Sequence, residues 1–194
     1  MATLQDFFIS KVRSKLVKIL LSNPQEIFYI RQLTRLTGEQ INAVRRELER
    51  LEKLGVVRKE SRANRLYYQM RRDYLFYDQL LEMVAKITGL GGAIIKNRNK
   101  IGKIKYAMLS GRLIRHKPKV NPDQIDLLLV GEIVLPQVAV LVQLEEKRLD
   151  TEINYTAMTL QEFEFRKKRR DPFILGILFS SRVMLIGDEE EMLT

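Results

Sequence analysis

The ordering of apolar, polar and glycine positions between Tyr29 and Tyr68 restricts this chain to few folds. A short apolar-spaced segment runs to a sharp break at Thr37-Gly38, a longer amphipathic segment follows, and two short strand-like runs close the stretch. Ile41, Val44, Leu48, Leu51 and Leu54 recur at intervals of three and four, which predicts a helix with one apolar face. Thr37 is read as its cap, with Gln40 three residues on completing a capping box. Gly55 is read as the left-handed residue just past its end. Val56 and Val57 open a strand, Leu66, Tyr67 and Tyr68 return it, and Ser61 to Asn64 supplies a polar turn between them.

A helix, a turn, a second helix and a basic hairpin, in that order, read as a helix-turn-helix with a β-wing behind it. With the apolar stripe buried, Gln40, Asn42, Ala43, Arg46 and Arg50 fall near the opposite face. Residues in the first turns of such a helix are those that meet base edges. Gln and Asn pair bidentately with adenine and Arg with guanine, while Arg45 and Arg50 are expected at phosphates. Arg31 and Asn64 complete the expected contacts from the flanking elements. Arg58, Lys59, Arg62 and Arg65 crowd the hairpin, opposed only by Glu60. A hairpin needs no such cations for its own folding, whereas each one laid along a phosphate backbone releases counterions. The competing expectation is a solvated charged face on an ordinary helix.

The segment TGEQINAVRRELERLEKLGVVRKESRANRLYY resembles the recognition helix and wing of ArsR/MarR-type winged-helix transcriptional regulators. The likeness runs from about Ser10 through the wing, carried by the register of apolar positions, the Leu-Gly-Val-Val junction and the Tyr-terminated basic wing. It implies a domain that binds double-stranded DNA and works as a homodimer.

Charge is distributed to match. The chain has 194 residues and a formal net charge of +10. Residues 1–72 hold 16 Lys/Arg against 7 Asp/Glu, a net of +9, and residues 73–194 hold 18 against 17, a net of +1. That asymmetry assigns a polyanionic partner to the first part. There is no cysteine, which excludes a disulfide framework, thiol catalysis and a Cys-based zinc site. No apolar run approaches a membrane span and no signal-peptide pattern opens the chain, so a cytoplasmic protein without a membrane partner is expected.

A first helix is predicted over Leu4 to Leu21, with Phe7, Phe8, Val12, Leu16, Ile19 and Leu20 as its stripe and Asn23-Pro24 as its stop. Tyr74 to Thr88 again shows helical spacing, with more apolar positions (Leu75, Phe76, Leu80, Met83, Val84, Ile87) than a one-sided contact needs, and is read as a dimerisation helix. Gly89-Leu90-Gly91-Gly92 is read as a hinge; it lacks the spacing of a phosphate loop. Lys96 to Lys119 carries nine Lys/Arg and no acid; this run is a solvated face, a continuation of the DNA track or the lining of an anionic ligand site.

Beyond it, strands are predicted at Ile104–Leu109, Ile125–Val130, Glu152–Met158 and Ser181–Ile186. Helices are predicted at Val134–Leu149, Leu160–Arg170 and Pro172–Phe179. The expectation is an α+β protein in three parts: a winged helix-turn-helix over 1–72, a helical linker over 73–102, and a small α/β domain with one mixed sheet over 103–194.

LSGRLIRHKPKVNPDQIDLLLVG, TEINYTAMTLQEF and SSRVMLIGD resemble parts of small nucleotidyltransferases, over about Lys103 to Asp188. Such enzymes have a Gly-Ser pair after the first strand and two aspartates, one residue apart, on the second, which clamp divalent metals. Here the pair is inverted as Ser110-Gly111, the first aspartate position is Gln124, only Asp126 remains, and the third carboxylate position falls near Asn154. Glu152 is expected on the same face and Asp123 on the opposite one. One carboxylate with two amides makes a poor magnesium site, so no metal, cofactor or catalysis is expected. His116, the only histidine, lacks a nearby nucleophile or orienting acid and is read as a solvated loop residue.

The sequence thus predicts a dimeric, sequence-specific transcriptional regulator whose second domain supports dimerisation, senses a small-molecule or nucleotide ligand, or docks a protein. The alternatives are a metal-dependent nucleotidyltransferase targeted by its winged helix, a sequence-blind architectural DNA binder, and a protein-interaction module.

Overall fold

The computed structural model describes residues 10–194 and has α+β architecture. Phe7 and Phe8 of the expected first helix lie outside the described residues. The chain divides into two compact units, residues 1–84 and 85–194.

In the first unit, α1 (Lys11–Ser22) starts at Ser10, whose Oγ accepts from the Arg13 amide at 3.3 Å. It buries Leu16, Val17, Leu20 and Leu21. Asn23-Pro24 ends it as expected, with Asn23 as C-cap and its side chain donating to the Ile19 carbonyl. β1 (Phe28–Tyr29), α2 (Ile30–Thr37) and α3 (Ile41–Lys53) follow, then β2 (Val57–Arg62) and β3 (Arg65–Met70). The three strands form an antiparallel sheet in the order β1-β3-β2, with Tyr29 opposite Tyr67 and Arg62 opposite Arg65.

The cap of α3 differs from expectation. Thr37 is the last residue of α2; it is buried, and its Oγ1 donates to the Leu33 carbonyl at 2.7 Å. A hydroxyl facing back down its own helix cannot cap the next one. Gly38 makes the turn instead at φ +64°, a conformation costly for residues bearing a Cβ. Gln40 stands at the N-cap of α3 with no side-chain cap bond. At the other end Gly55 follows the C-cap at φ +73°, as the sequence predicts.

The stripe of α3 is also narrower than predicted. Val44, Leu48 and Leu51 are buried, but Ile41 and Leu54 are exposed. Glu47, a charged residue, is buried among them, because Arg13 of α1 reaches its carboxylate at 2.9 Å and Arg50 at 2.7 Å. Burial pushes the Glu47 carboxyl up, but the hydrogen bonds and charge of Arg13, with Arg50, outweigh it and hold the pKa below the ordinary value. Lys15 ties α1 to the α2–α3 turn through the Thr37 carbonyl and Glu39.

After the hairpin, α4 (Tyr77–Ile87) buries Tyr77, Leu81 and Val84, while Leu75 and Phe76 just before it are 80% and 53% exposed. The glycine stretch read as a hinge is helical: α5 (Gly89–Lys96) buries Leu90, Gly91, Gly92 and Ile94. A Cβ on Gly91 would stand 2.2 Å from the Ala85 carbonyl oxygen, so glycine there serves close packing, and flexibility is not its purpose.

The second unit continues with α6 (Arg98–Ile101), β4 (Gly102–Ser110), α7 (Gly111–Ile114), β5 (Leu127–Ile133), α8 (Leu135–Leu149), β6 (Tyr155–Met158), α9 (Leu160–Lys168), α10 (Pro172–Phe179), β7 (Arg182–Ile186) and α11 (Glu189–Leu193). Its sheet runs β6-β5-β4-β7; β5 and β6 are parallel and the other neighbours antiparallel, so the sheet is mixed. Alternation along the strands puts Tyr106, Met108, Leu128, Val130, Met158 and Met184 into one core with Phe163, Ile174 and Met192 from the covering helices. Ala107, Leu109, Leu127 and Leu129 are buried on the opposite face. Burial on both faces explains why β5 reads as an unbroken apolar run.

Candidate nucleic-acid interface

The sequence points to the solvent face of α3 and the β2–β3 hairpin as the interface, and the structure sorts the expected cations there into two groups. Arg50 is engaged by Glu47. Lys59 donates to Glu52 at 2.9 Å, and that bond raises its pKa. Arg62 donates twice to Glu60, both at 2.9 Å, a bidentate pairing that raises the guanidinium pKa and lowers that of the carboxylate. Arg58 donates to the Gln69 side-chain oxygen. Expecting all of these as free phosphate contacts therefore overlooked partners supplied one turn back on the helix (Glu47), two residues back on the same strand (Glu60), across the hairpin (Gln69) and from the neighbouring helix (Glu52). Arg58 and Lys59 also lie apart from Arg65, lining a second cleft with Glu52, Gln69 and Asp73.

Arg31, Arg45 and Arg46 form the second group. They are exposed and have no ion-pair partner among the described residues. Gln40 and Asn42 are exposed at the start of α3, and Ala43 is half-buried. Asn42 and Arg46 stand four residues apart, hence on one face of the helix. Arg45 instead faces the wing with Ile41.

That face of α3 borders a cleft of about 490 Å³ lined by Tyr29, Ile30, Arg31, Ile41, Arg45, Asn64, Arg65 and Leu66. It brings together expected residues from α2, α3 and the hairpin turn, where Ala63 holds φ +48°. Aromatic rings brace its rim. Tyr29 and Tyr67 meet edge-to-face at 6.1 Å, the Arg65 guanidinium lies 5.4 Å from the Tyr29 ring centroid, and that of Arg62 lies 5.7 Å from Tyr67. Arg35 donates to the Tyr29 hydroxyl at 3.1 Å. Sequence reasoning missed Tyr29, Ile30, Arg35, Ile41 and Leu66. The alternation Arg65-x-Tyr67 was the available signal, because those two residues share a strand face.

In the second unit, Asp126 is almost fully buried just before β5. Its Oδ1 accepts from Ser110 Oγ at 3.0 Å and from Arg112 Nε at 2.8 Å, and Oδ2 accepts from the Asn154 amide at 3.2 Å. The Lys119 ammonium lies 4.0 Å from Oδ2. Ser110 also caps α7 by accepting from the Leu113 amide. Asn154 turns its side-chain amide to the Gln124 carbonyl, and Asp123 and Glu152 are exposed. A divalent ion needs free carboxylate oxygens, and both oxygens of Asp126 already face donors. The residues do not fit the metal that the nucleotidyltransferase resemblance implies. Among the described residues no cluster of three metal-ligating side chains occurs.

Four cations of the basic run from Lys96 to Lys119 have acidic partners. Lys105 pairs with Glu191 and Lys103 with Glu132, whereas Arg112 and Lys119 turn inward to Asp126. His116 is half-buried at φ +48°, so it is not the solvated residue expected. Burial, then the nearby Arg148 charge, pushes its pKa down.

No protein-family model, curated protein or solved structure matches the chain. No helix among the described residues is long and apolar enough to cross a membrane.

Proposed function

We propose that the first unit is a winged-helix DNA-binding domain and that the protein is a sequence-specific transcriptional regulator acting as a homodimer in the cytoplasm. The observation that carries this reading is the exposed set Arg31, Arg45 and Arg46 on α2 and α3, without an ion-pair partner among the described residues, the first two of them lining the hairpin cleft. The element order and the β1-β3-β2 sheet support it, since this is the arrangement in which a second helix enters a major groove and a hairpin flanks it. Asn42 and Arg46 read bases; Arg31, Arg45 and Arg65 meet phosphates; Gln40 and Asn64 contact DNA from the edges. The exposed Leu75 and Phe76 favour a second copy as partner.

The second unit is a nucleotidyltransferase-like domain without transfer chemistry. Its one candidate metal carboxylate, Asp126, is bound by Arg112, Ser110 and Asn154, and it serves dimerisation, ligand sensing or docking. Selection of random DNA by the purified protein at several salt concentrations tests the whole reading. An enriched inverted repeat with half-sites about one helical turn apart is expected. Salt-sensitive binding with no enriched motif overturns sequence specificity and favours an architectural binder.

A further inference from the structure

The cleft beside the hairpin is rimmed by cations, yet its floor is aliphatic. Ile41 and Leu66 are 36% and 40% exposed, and with half-buried Ile30 they line one space with Tyr29. A single exposed apolar side chain is ordinary. Three converging on one cavity next to guanidinium groups are not explained by phosphate contacts, because phosphate oxygens gain nothing from aliphatic surface.

Ile41 is the first residue of α3, and Arg45 stands one turn further along the same face. Arg31 and Arg65 complete the rim, and among the described residues no carboxylate lines the cleft. An occupant that fits is polyanionic outside and bears a small apolar group inside. The major-groove edge of DNA offers one such group, the 5-methyl of a pyrimidine, present on thymine and on methylated cytosine.

Resting on the DNA-binding reading above, we infer that Ile30, Ile41 and Leu66 form a receptor for a pyrimidine 5-methyl group, which makes Ile41 a specificity-determining residue. Arg31, Arg45 and Arg65 hold the flanking phosphates and so seat the base edge over the floor. Because dispersion and apolar burial carry the discrimination, the contact needs no hydrogen bond, and it separates thymine from uracil, which hydrogen bonding alone does not.

The test uses the full chain and its selected duplex. Each thymine is replaced in turn by uracil and each cytosine in turn by 5-methylcytosine, and affinities are read by fluorescence anisotropy at fixed salt. At one position per half-site, removing the thymine methyl is expected to weaken binding about fourfold, the scale of one buried carbon group. If the methyl-sensitive position is a cytosine, adding the methyl strengthens binding by a similar factor, which assigns the group to 5-methylcytosine. In Ile41→Ala the response at that position is expected to vanish, and in Leu66→Ala to shrink. Indifference to every methyl, or an undiminished response in Ile41→Ala, overturns the inference while leaving DNA binding intact. Failure to bind any duplex overturns both readings.

Discussion

Arg31, Arg45 and Arg46 of the first unit are exposed and have no acidic partner among the described residues, whereas Arg112 of the second is 8% exposed and clasps Asp126. Guanidinium is an expensive group to desolvate, and a protein buries one only when hydrogen bonds and a counter-charge offset the loss. Arg112 has both, in the Asp126 carboxylate and the Lys117 carbonyl. Its binding capacity is therefore used within the fold, while that of the three surface arginines stays available to a polyanion. Counting cations along the chain cannot separate these cases; the position of the nearest carboxylate does.

The largest expected effect tests the inward half of this contrast. Arg112→Ala leaves the buried Asp126 carboxyl short of its main donor, at a cost of about 3–5 kcal/mol. Urea unfolding followed by two probes, one per unit, should show the second unit melting early. Replacing both partners by apolar residues of similar volume should restore much of the loss. An Arg112→Ala protein as stable as the parent would end the claim that this arginine is structural.

The outward half predicts the opposite pairing of effects. Arg46→Ala should leave stability within about 0.5 kcal/mol of the parent. It should cost about 1–3 kcal/mol of discrimination between the selected site and its single-base variants. Competition binding against a panel of such variants is the measurement. Unchanged discrimination would remove Arg46 from the reading face.

The same contrast explains what the sequence disclosed. Long periodic segments were legible: α8 and α10 lie where the spacing puts them, because apolar stripes and flanking proline, asparagine or glycine are local signals. The α2–α3 turn was misassigned by one element, since Thr37 satisfies its hydroxyl within α2 and leaves the turn to Gly38. The Gly89–Gly92 stretch was misread because glycine for close packing and glycine for flexibility look alike in sequence. Likewise, the partner of Lys59 follows from helix-to-hairpin packing, whereas the Arg62–Glu60 pair, two residues apart on one strand face, was open to the sequence. Ile41 fell on the predicted stripe, and only tertiary structure shows it turned into the cleft.

Within the hairpin, the contrast sharpens between two arginines. Arg65→Ala should weaken all DNA sequences alike and reduce the slope of log affinity against log salt by about 0.9, one phosphate contact. Arg62→Ala should do less, because Glu60 competes with phosphate for its guanidinium. Glu60→Gln should accordingly tighten binding. Salt titrations of the three variants rank them; a larger slope change for Arg62 than for Arg65 would show that the Glu60 pairing opens when DNA is present.

Glu47 is the place where the first unit treats charge as the second does, and it offers the smallest test. Its carboxyl is buried between Arg13 and Arg50, and its folded pKa lies below the ordinary value of 4.5. A lowered folded pKa means that the ionised form contributes stability above the unfolded value and loses it as pH falls through the folded one. Glu47→Gln should cost about 1 kcal/mol near neutrality. The gap from the parent should close as the pH falls through the lowered folded pKa, where the parent's own carboxylate becomes protonated. Urea midpoints of the two proteins across that range give the result. A gap that persisted unchanged into acid would mean that shape complementarity at the α1–α3 contact, and not charge, makes Glu47 matter. The two units would then differ in kind in their use of buried charge as well as in its amount.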